Sequence, residues 1–234
     1  MIANLLHDAR NYLVTFLKGK RNIHEIRHPW RQEWQHMALH SLRVESYVLK
    51  ILAREPHPLT KPDVRLLRLA AILHDIGRLE KTKNHAKTGA NIVRSWLQGY
   101  PGEDLQENDI EVVVDMIADH SNKETSETDF RRAVLKDADI LDEIGAMSIF
   151  MASSWLSVQS PFFFYELQKR LIEVEVPFCD RQLTHLNTGA AKEILKEKKA
   201  FIEHFIAQLG DELQTDPDMD SSWFPSQEFE SYPS

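Results

Sequence analysis

Two adjacent side chains able to bind a metal, His74 and Asp75, stand at the end of an apolar helical run in "RLAAILHDIGR". A hard or borderline cation is the simplest reason to bring an imidazole and a carboxylate together against a core. Leu67, Ala70, Ala71 and His74 fall at i, i+3, i+4 and i+7, so the histidine shares the inward face of a helix. Asp75 is its neighbour, and burying that carboxylate uncompensated would cost several kcal/mol. Taken alone, His74 fits equally well as a core histidine bonded to a carbonyl, and Asp75 as a helix-end carboxylate. A metal reading therefore requires further donors that converge on the pair.

Other segments offer them. In "WQHMALHSLRVESYVLKIL", Met37, His40, Val44, Tyr47 and Ile51 recur at spacings of three and four, which puts His40 on the buried stripe of a long amphipathic helix. His36 lies one turn earlier and within reach of the same cleft. In "FRRAVLKDADILDEIGA", Leu135, Ala138 and Asp139 share a face, so Asp139 points toward packing, while Asp137 and Asp142 are expected to be solvated. His85 opens "HAKTGANIVRSWL", and His120 closes "NDIEVVVDMIADH" on the face of Val113.

The ordered set His40, His74-Asp75 and Asp139 within a wholly helical chain resembles the HD superfamily of metal-dependent phosphohydrolases. "HSLRV", "ILHDIGR" and "LKDADILDEIGA" carry the likeness, which spans about residues 34 to 150. The resemblance implies that His40, His74, Asp75 and Asp139 hold one divalent cation, with His74 and Asp75 at the centre of catalysis. Two-metal branches add a histidine soon after the dyad and another at the end of a later helix. His85 and His120 occupy those places, with Asp75 bridging. Many relatives have Lys where this chain has Arg78, and Arg where it has Ile140. The "GYP" motif of the cyclic-dinucleotide branch is absent, because Ser121 and Asn122 follow His120.

A divalent ion held this way lowers the pKa of its bound water from about 15.7 to about 7 and so makes hydroxide at neutral pH. One or two ions of Mn, Fe, Ni, Co, Zn or Mg are the implied cofactor. Arg78, Lys81, Lys83 and Lys87 cluster just after the dyad and are candidates to hold phosphate oxygens, against the alternative of a solvated loop. Arg43, one turn from His40, is read either as a phosphate contact or as a salt-bridge brace behind the ligands. Asp119 and Asn84 are candidates to orient imidazoles. His7, His24, His28, His57, His185 and His204 are assigned no role.

The elements that must position these residues are all helical. Apolar periodicity predicts helices over about 3–18, 31–54, 62–75, 85–98, 109–120, 128–142, 146–159, 162–173 and 188–209, and no alternating strand pattern competes. Thr60 with Asp63, Asn108 with Glu111, and Ser126 with Asp129 have the form of N-caps, and Gly210 is placed to end the last helix. Ile144 to Tyr165 contains no charged residue, yet its serines, Gln159 and Pro161 suit a buried helix and a break better than a membrane span. The run Phe162 to Tyr165 is expected in the core, with a subunit contact as the alternative.

The expected organisation is an N-terminal helical segment over 1–30 packed on one all-α HD-type bundle over 31–210, then an acidic, Ser- and Pro-containing tail over 211–234. With 234 residues the chain suits one well-buried domain. Its 28 basic residues face 36 acidic ones, and seven of the acids follow Gly210, where no basic residue occurs. The remainder is therefore nearly neutral, which gives no support for nucleic-acid capture. A single cysteine, Cys179, excludes an intrachain disulfide and fits a reducing cytoplasm. No signal peptide or membrane anchor is expected. Trp223, Phe224 and Phe229 in the tail are candidates to dock on a surface, for instance in a homodimer.

The reading that follows is a metal-dependent hydrolase of a phosphomonoester or phosphoanhydride, with a nucleotide or similar small molecule as substrate. An HD-type di-iron oxygenase and a non-catalytic nucleotide-binding module are the alternatives.

Overall fold

Apolar residues spaced three and four apart give each helix one stripe to bury, and the stripes of successive helices close on a shared core. In the computed structural model, residues 5–25, 27–80, 83–101, 105–123 and 127–214 are described. Helices α1 (Leu5–Leu17), α2 (Trp34–Arg54), α3 (Lys61–Leu73), α4 (His85–Gln98), α5 (Glu107–Asp119) and α6 (Phe130–Leu141) come first. They are followed by α7 (Ala146–Ser153), α8 (Phe163–Arg170), α9 (Val176–His185) and α10 (Gly189–Glu212). Among the described residues no strand forms beyond one isolated bridge, Arg21 to Glu33. No helix among them is long and apolar enough to cross a membrane.

The pairings α2 with α3 and α6, α3 with α5, and α4 with α5 make the frame that carries the candidate ligands. α1 buries Leu5, Ala9, Leu13 and Leu17 and packs on α3 and α2. Glu45 of α2 pins this corner, accepting from Arg10 at 2.6 Å and from Arg68 at 2.8 Å. α3 starts on a capping box between Thr60 and Asp63 and ends at Leu73, so His74 opens a chain of turns that runs to residue 80. Gly77 lets those turns lie against α4: a Cβ there would sit 2.5 Å from both Gly89 N and His85 O. That close approach carries His85 toward Asp75.

The structure corrects several expected boundaries. The cap of α5 is Gln106, boxed with Asp109, two residues before the Asn108 and Glu111 pair. Asp129 caps α6 itself by accepting from Arg131 N at 2.8 Å, and Ser126 lies outside the described residues. α7 stops at Ser153 rather than 159, and α8 continues through a wide π turn, Leu171–Glu175, into α9, where the sequence suggests no element. Pro177 stands in the first turn of α9, directly after the π turn. Gly210 does not end α10, which runs to Glu212. The glycine gives room for α8 instead, since a Cβ would lie 2.5 Å from Gln168 Nε2. Four consecutive aromatics cannot all face the core of a helix that turns about 100° per residue. Phe163 packs inward, whereas Phe164 and Tyr165 are 58% and 45% exposed. Trp223, Phe224 and Phe229 lie outside the described residues.

Candidate metal centre and its pocket

His40 projects from the middle of α2, His74 and Asp75 from the end of α3, His85 from the start of α4, His120 from the end of α5, and Asp139 from α6. The fold brings all six together. His40 Nε2 lies 3.2 Å from His74 Nε2, 3.3 Å from Asp139 Oδ1 and 3.6 Å from Asp75 Oδ2. His74 Nε2 is 3.7 Å from Asp139 Oδ1. The other Asp75 oxygen, Oδ1, lies 3.3 Å from His85 Nε2 and 3.4 Å from His120 Nε2. One carboxylate thus faces two donor groups, each oxygen toward a different one.

Two imidazoles are set by backbone carbonyls. His74 Nδ1 bonds to Ala71 O at 2.9 Å and His120 Nδ1 to Ile117 O at 2.7 Å, which turns Nε2 of each ring toward the cluster. The competing reading of His74, a core histidine bonded to a carbonyl, describes one side of the ring, and the cluster takes the other. His40 is held differently, with Nδ1 2.7 Å from Asp142 Oδ2.

The donor set fits a divalent ion. Bonds of about 2.0–2.2 Å around one ion separate neighbouring donors by about 3.0–3.6 Å, close to the spacings found here. Asp75 Oδ1 and His120 Nε2 are buried and make no hydrogen bond within the protein, which a cation between them would remedy. Three overlapping trios, His40, His74 and Asp75; His74, His120 and Asp139; Asp75, His85 and His120, each bring their donor atoms within 4.8 Å of one another. Burial works against charge on His40, but Asp139 and Asp142, with Asp75, push its pKa up to about 10. Burial alone would raise the Asp75 carboxyl, and His74, His120 and Arg78 hold it well below the usual range.

The cluster opens into a polar cavity of about 230 Å³, whose wall includes Arg31, His36, Arg78, Lys123 and Glu143. Arg78 Nη1 stands 3.6 Å from Asp75 Oδ2 and 3.2 Å from His85 Nε2. Lys83 and Lys87 are exposed and absent from this wall, and Lys81 lies outside the described residues. Ile140 packs into the core and offers the pocket nothing. His36 Nε2 pairs with Glu143 Oε1 at 3.0 Å, and Arg31 pairs with the same carboxylate.

Three expectations change. Asp142, expected in solvent, is buried and accepts from both His40 and Arg43. Arg43 serves as the brace, with Nε and Nη2 bonding the two Asp142 oxygens at 2.8 and 2.9 Å. Asp137 is also buried, because Asn187 and Thr188 at the start of α10 donate four hydrogen bonds to it. Asp119 orients no imidazole and pairs with Lys136 at 2.6 Å instead. Asn84 takes a left-handed turn at φ 63° on the way into α4.

Lys123 and Glu143 line the pocket without having drawn notice in the sequence. Arg43 lies three residues after His40 on α2, and Asp142 three after Asp139 at the end of α6, so their pairing runs alongside that of His40 with Asp139. Lys123 sits in an irregular connection, where no periodicity marks a direction.

An all-helical domain with an ordered His, His-Asp and Asp set closing on one cluster defines a class. Residues 37–144 match the family model of the HD domain, and this stretch holds all six clustered side chains. Solved structures agree on the fold. A predicted HD superfamily hydrolase from an uncultured Thermotogales bacterium superposes with a TM-score of 0.60 at 21% identity, covering 89% of this chain and 93% of that one. An HD-superfamily hydrolase from Bacillus thuringiensis gives 0.61 at 19%, covering 90% and 97%. YpgQ of Bacillus subtilis, solved in complex with ADP, gives 0.57 at 20%, covering 89% and 95%. No curated protein sequence matches the chain.

Proposed function

We propose that this chain is a metal-dependent phosphohydrolase that cleaves a phosphomonoester or phosphoanhydride of a nucleotide or similar small molecule. The observation that carries the reading is the divided Asp75 carboxylate, with its two donor groups, at a pocket whose wall holds Arg31, Arg78 and Lys123. Basic side chains beside metal-type donors suit a phosphoryl group, whose oxygens need positive partners. ADP in the Bacillus subtilis neighbour supports a phosphorylated ligand.

His40, His74, Asp75 and Asp139 would hold one ion, and His85 and His120 a second, with Asp75 between them. Nitrogen and oxygen donors of this kind suit Mn, Fe, Co, Ni or Zn, with Mg as a weaker candidate. A bound ion supplies a water with pKa near 7, and so a nucleophile at neutral pH. The chain's own part is to turn Nε2 of His74 and His120 toward the ion through their carbonyl bonds, and to keep Asp75 ionised. Arg78 stands where it can hold a phosphoryl oxygen. Arg43 acts behind the ligands, through Asp142.

The test is release of phosphate from a panel of nucleotides and sugar phosphates, with and without added divalent metal, alongside elemental analysis. Turnover should require metal and fall to background in His74→Ala and Asp75→Ala. Two ions per chain are expected, and one would remove His85 and His120 from the ligand set. Iron with an oxygen-dependent spectral change, and no phosphate release from any substrate, would move the assignment to a di-iron oxygenase. Tight nucleotide binding without product would make it a binding module.

A further inference from the structure

Lys123 lies in the irregular connection after α5, three residues beyond His120. Its Nζ donates to Asp139 Oδ2 at 2.6 Å, and its side chain is 30% exposed on the pocket wall. Asp139 Oδ1 faces the imidazoles of His40 and His74. The carboxylate is therefore divided, one oxygen on the lysine and the other on the candidate metal donors. Burial would raise the Asp139 carboxyl, but Lys123 first, then His40 and His74, hold it well below the usual range, so it stays an anion. An ammonium carries three donors, of which Asp139 takes one. Arg31, also on the wall, pairs with the Glu143 carboxylate. Arg78 stands beside Asp75 and His85, and Lys123 beside Asp139, so each end of the cluster has one cation.

We propose that Lys123 anchors the substrate's phosphoryl group: one ammonium donor is taken by Asp139 Oδ2 and another holds a phosphoryl oxygen. The proposal rests on the phosphohydrolase reading. A cation that contacts phosphate equally in ground and transition states lowers KM and leaves kcat little changed.

The experiment compares wild type, Lys123→Met and Lys123→Arg as full-length protein loaded with Mn²⁺. It measures inorganic phosphate binding by calorimetry, KM and kcat on whichever substrate the wild type turns over, metal content, and Tm. Lys123→Met should weaken phosphate binding and raise KM by about 10- to 100-fold, the scale of one charge-assisted hydrogen bond. Its ion content and Tm should match wild type, and Lys123→Arg should recover most of the binding. Wild-type phosphate affinity in Lys123→Met overturns the proposal, and so does loss of metal from that variant, which would make the lysine a brace for the ligands only. The two readings fail separately. A wild type that hydrolyses substrates beside an indifferent Lys123→Met sinks only the anchor, whereas a loaded wild type that neither binds phosphate nor releases it sinks both.

Discussion

His40 shows how far a single residue's role depends on what stands behind it. Its Nε2 faces Asp139 and Asp75, while its Nδ1 is held by Asp142, which Arg43 in turn grips with two bonds. Asp142 therefore aims a ligand without being one. Burial raises its carboxyl, and His40 and Arg43 bring it down to about 2, so it is an anion at any working pH. Asp142→Asn keeps the size and an acceptor but removes the charge that both partners answer. Metal affinity, measured by competition with a chelator, should fall about 10- to 100-fold, as it does when a group supporting a metal ligand is changed. An unchanged affinity would show that α2 alone orients the imidazole. The same carboxylate marks a limit of reading by periodicity. The helical face containing Leu135, Ala138 and Asp139 is legible from sequence, but whether Asp142 meets water or Arg43 depends on which helix packs opposite. That is a long-range fact, and composition does not carry it.

At the scale of elements, the candidate ligands occupy places where helices end or cross: the C-terminus of α3, the N-terminus of α4, the C-terminus of α5, and the crossing of α2 with α6. Helix existence was legible wherever a stripe of buried aliphatics recurs, as in α2, α3, α5 and α6. It was not legible for α9, whose one fully buried side chain is Cys179 and whose first turn holds a proline. The turn from His74 to residue 80 depends on Gly77 in a way the stripe does not reveal. A methyl group there would meet backbone atoms of His85 and Gly89 at 2.5 Å, and backbone cannot step aside as a flexible side chain can. Gly77→Ala should therefore push the start of α4 away from Asp75. We expect a loss of about 1–3 kcal/mol in urea unfolding, the usual cost of overpacking, and a drop from two bound ions to one as His85 withdraws. A variant that kept both ions at wild-type affinity would show that the turn and α4 move together.

Ions held by this cluster would join five stretches of the chain, from α2 to α6, at one point, in addition to the packing and ion pairs that already link them. Metal binding should then raise the stability of the whole bundle, by about 2.7 kcal/mol when one ion is at 100 times its Kd. Cys179 offers a reporter far from the ligands in sequence. It is 1% exposed, and burial, with the nearby Glu175 and Asp180 carboxylates, pushes its thiol up to about 11. The sign follows directly: at pH 8 the native thiol is protonated and shielded, so it reacts slowly, whereas an unfolded cysteine with pKa near 8.5 is partly thiolate and reacts quickly. Labelling of native protein must then pass through opening. If α9 opens only with the rest of the bundle, saturating metal at 100 times Kd should slow labelling about 100-fold, and a chelator should restore the rate. If metal raises Tm yet leaves the labelling rate unchanged, α9 and the π turn before it open on their own. The molecule would then consist of a metal-stiffened frame, α2 to α6, and a C-terminal layer whose stability is set locally.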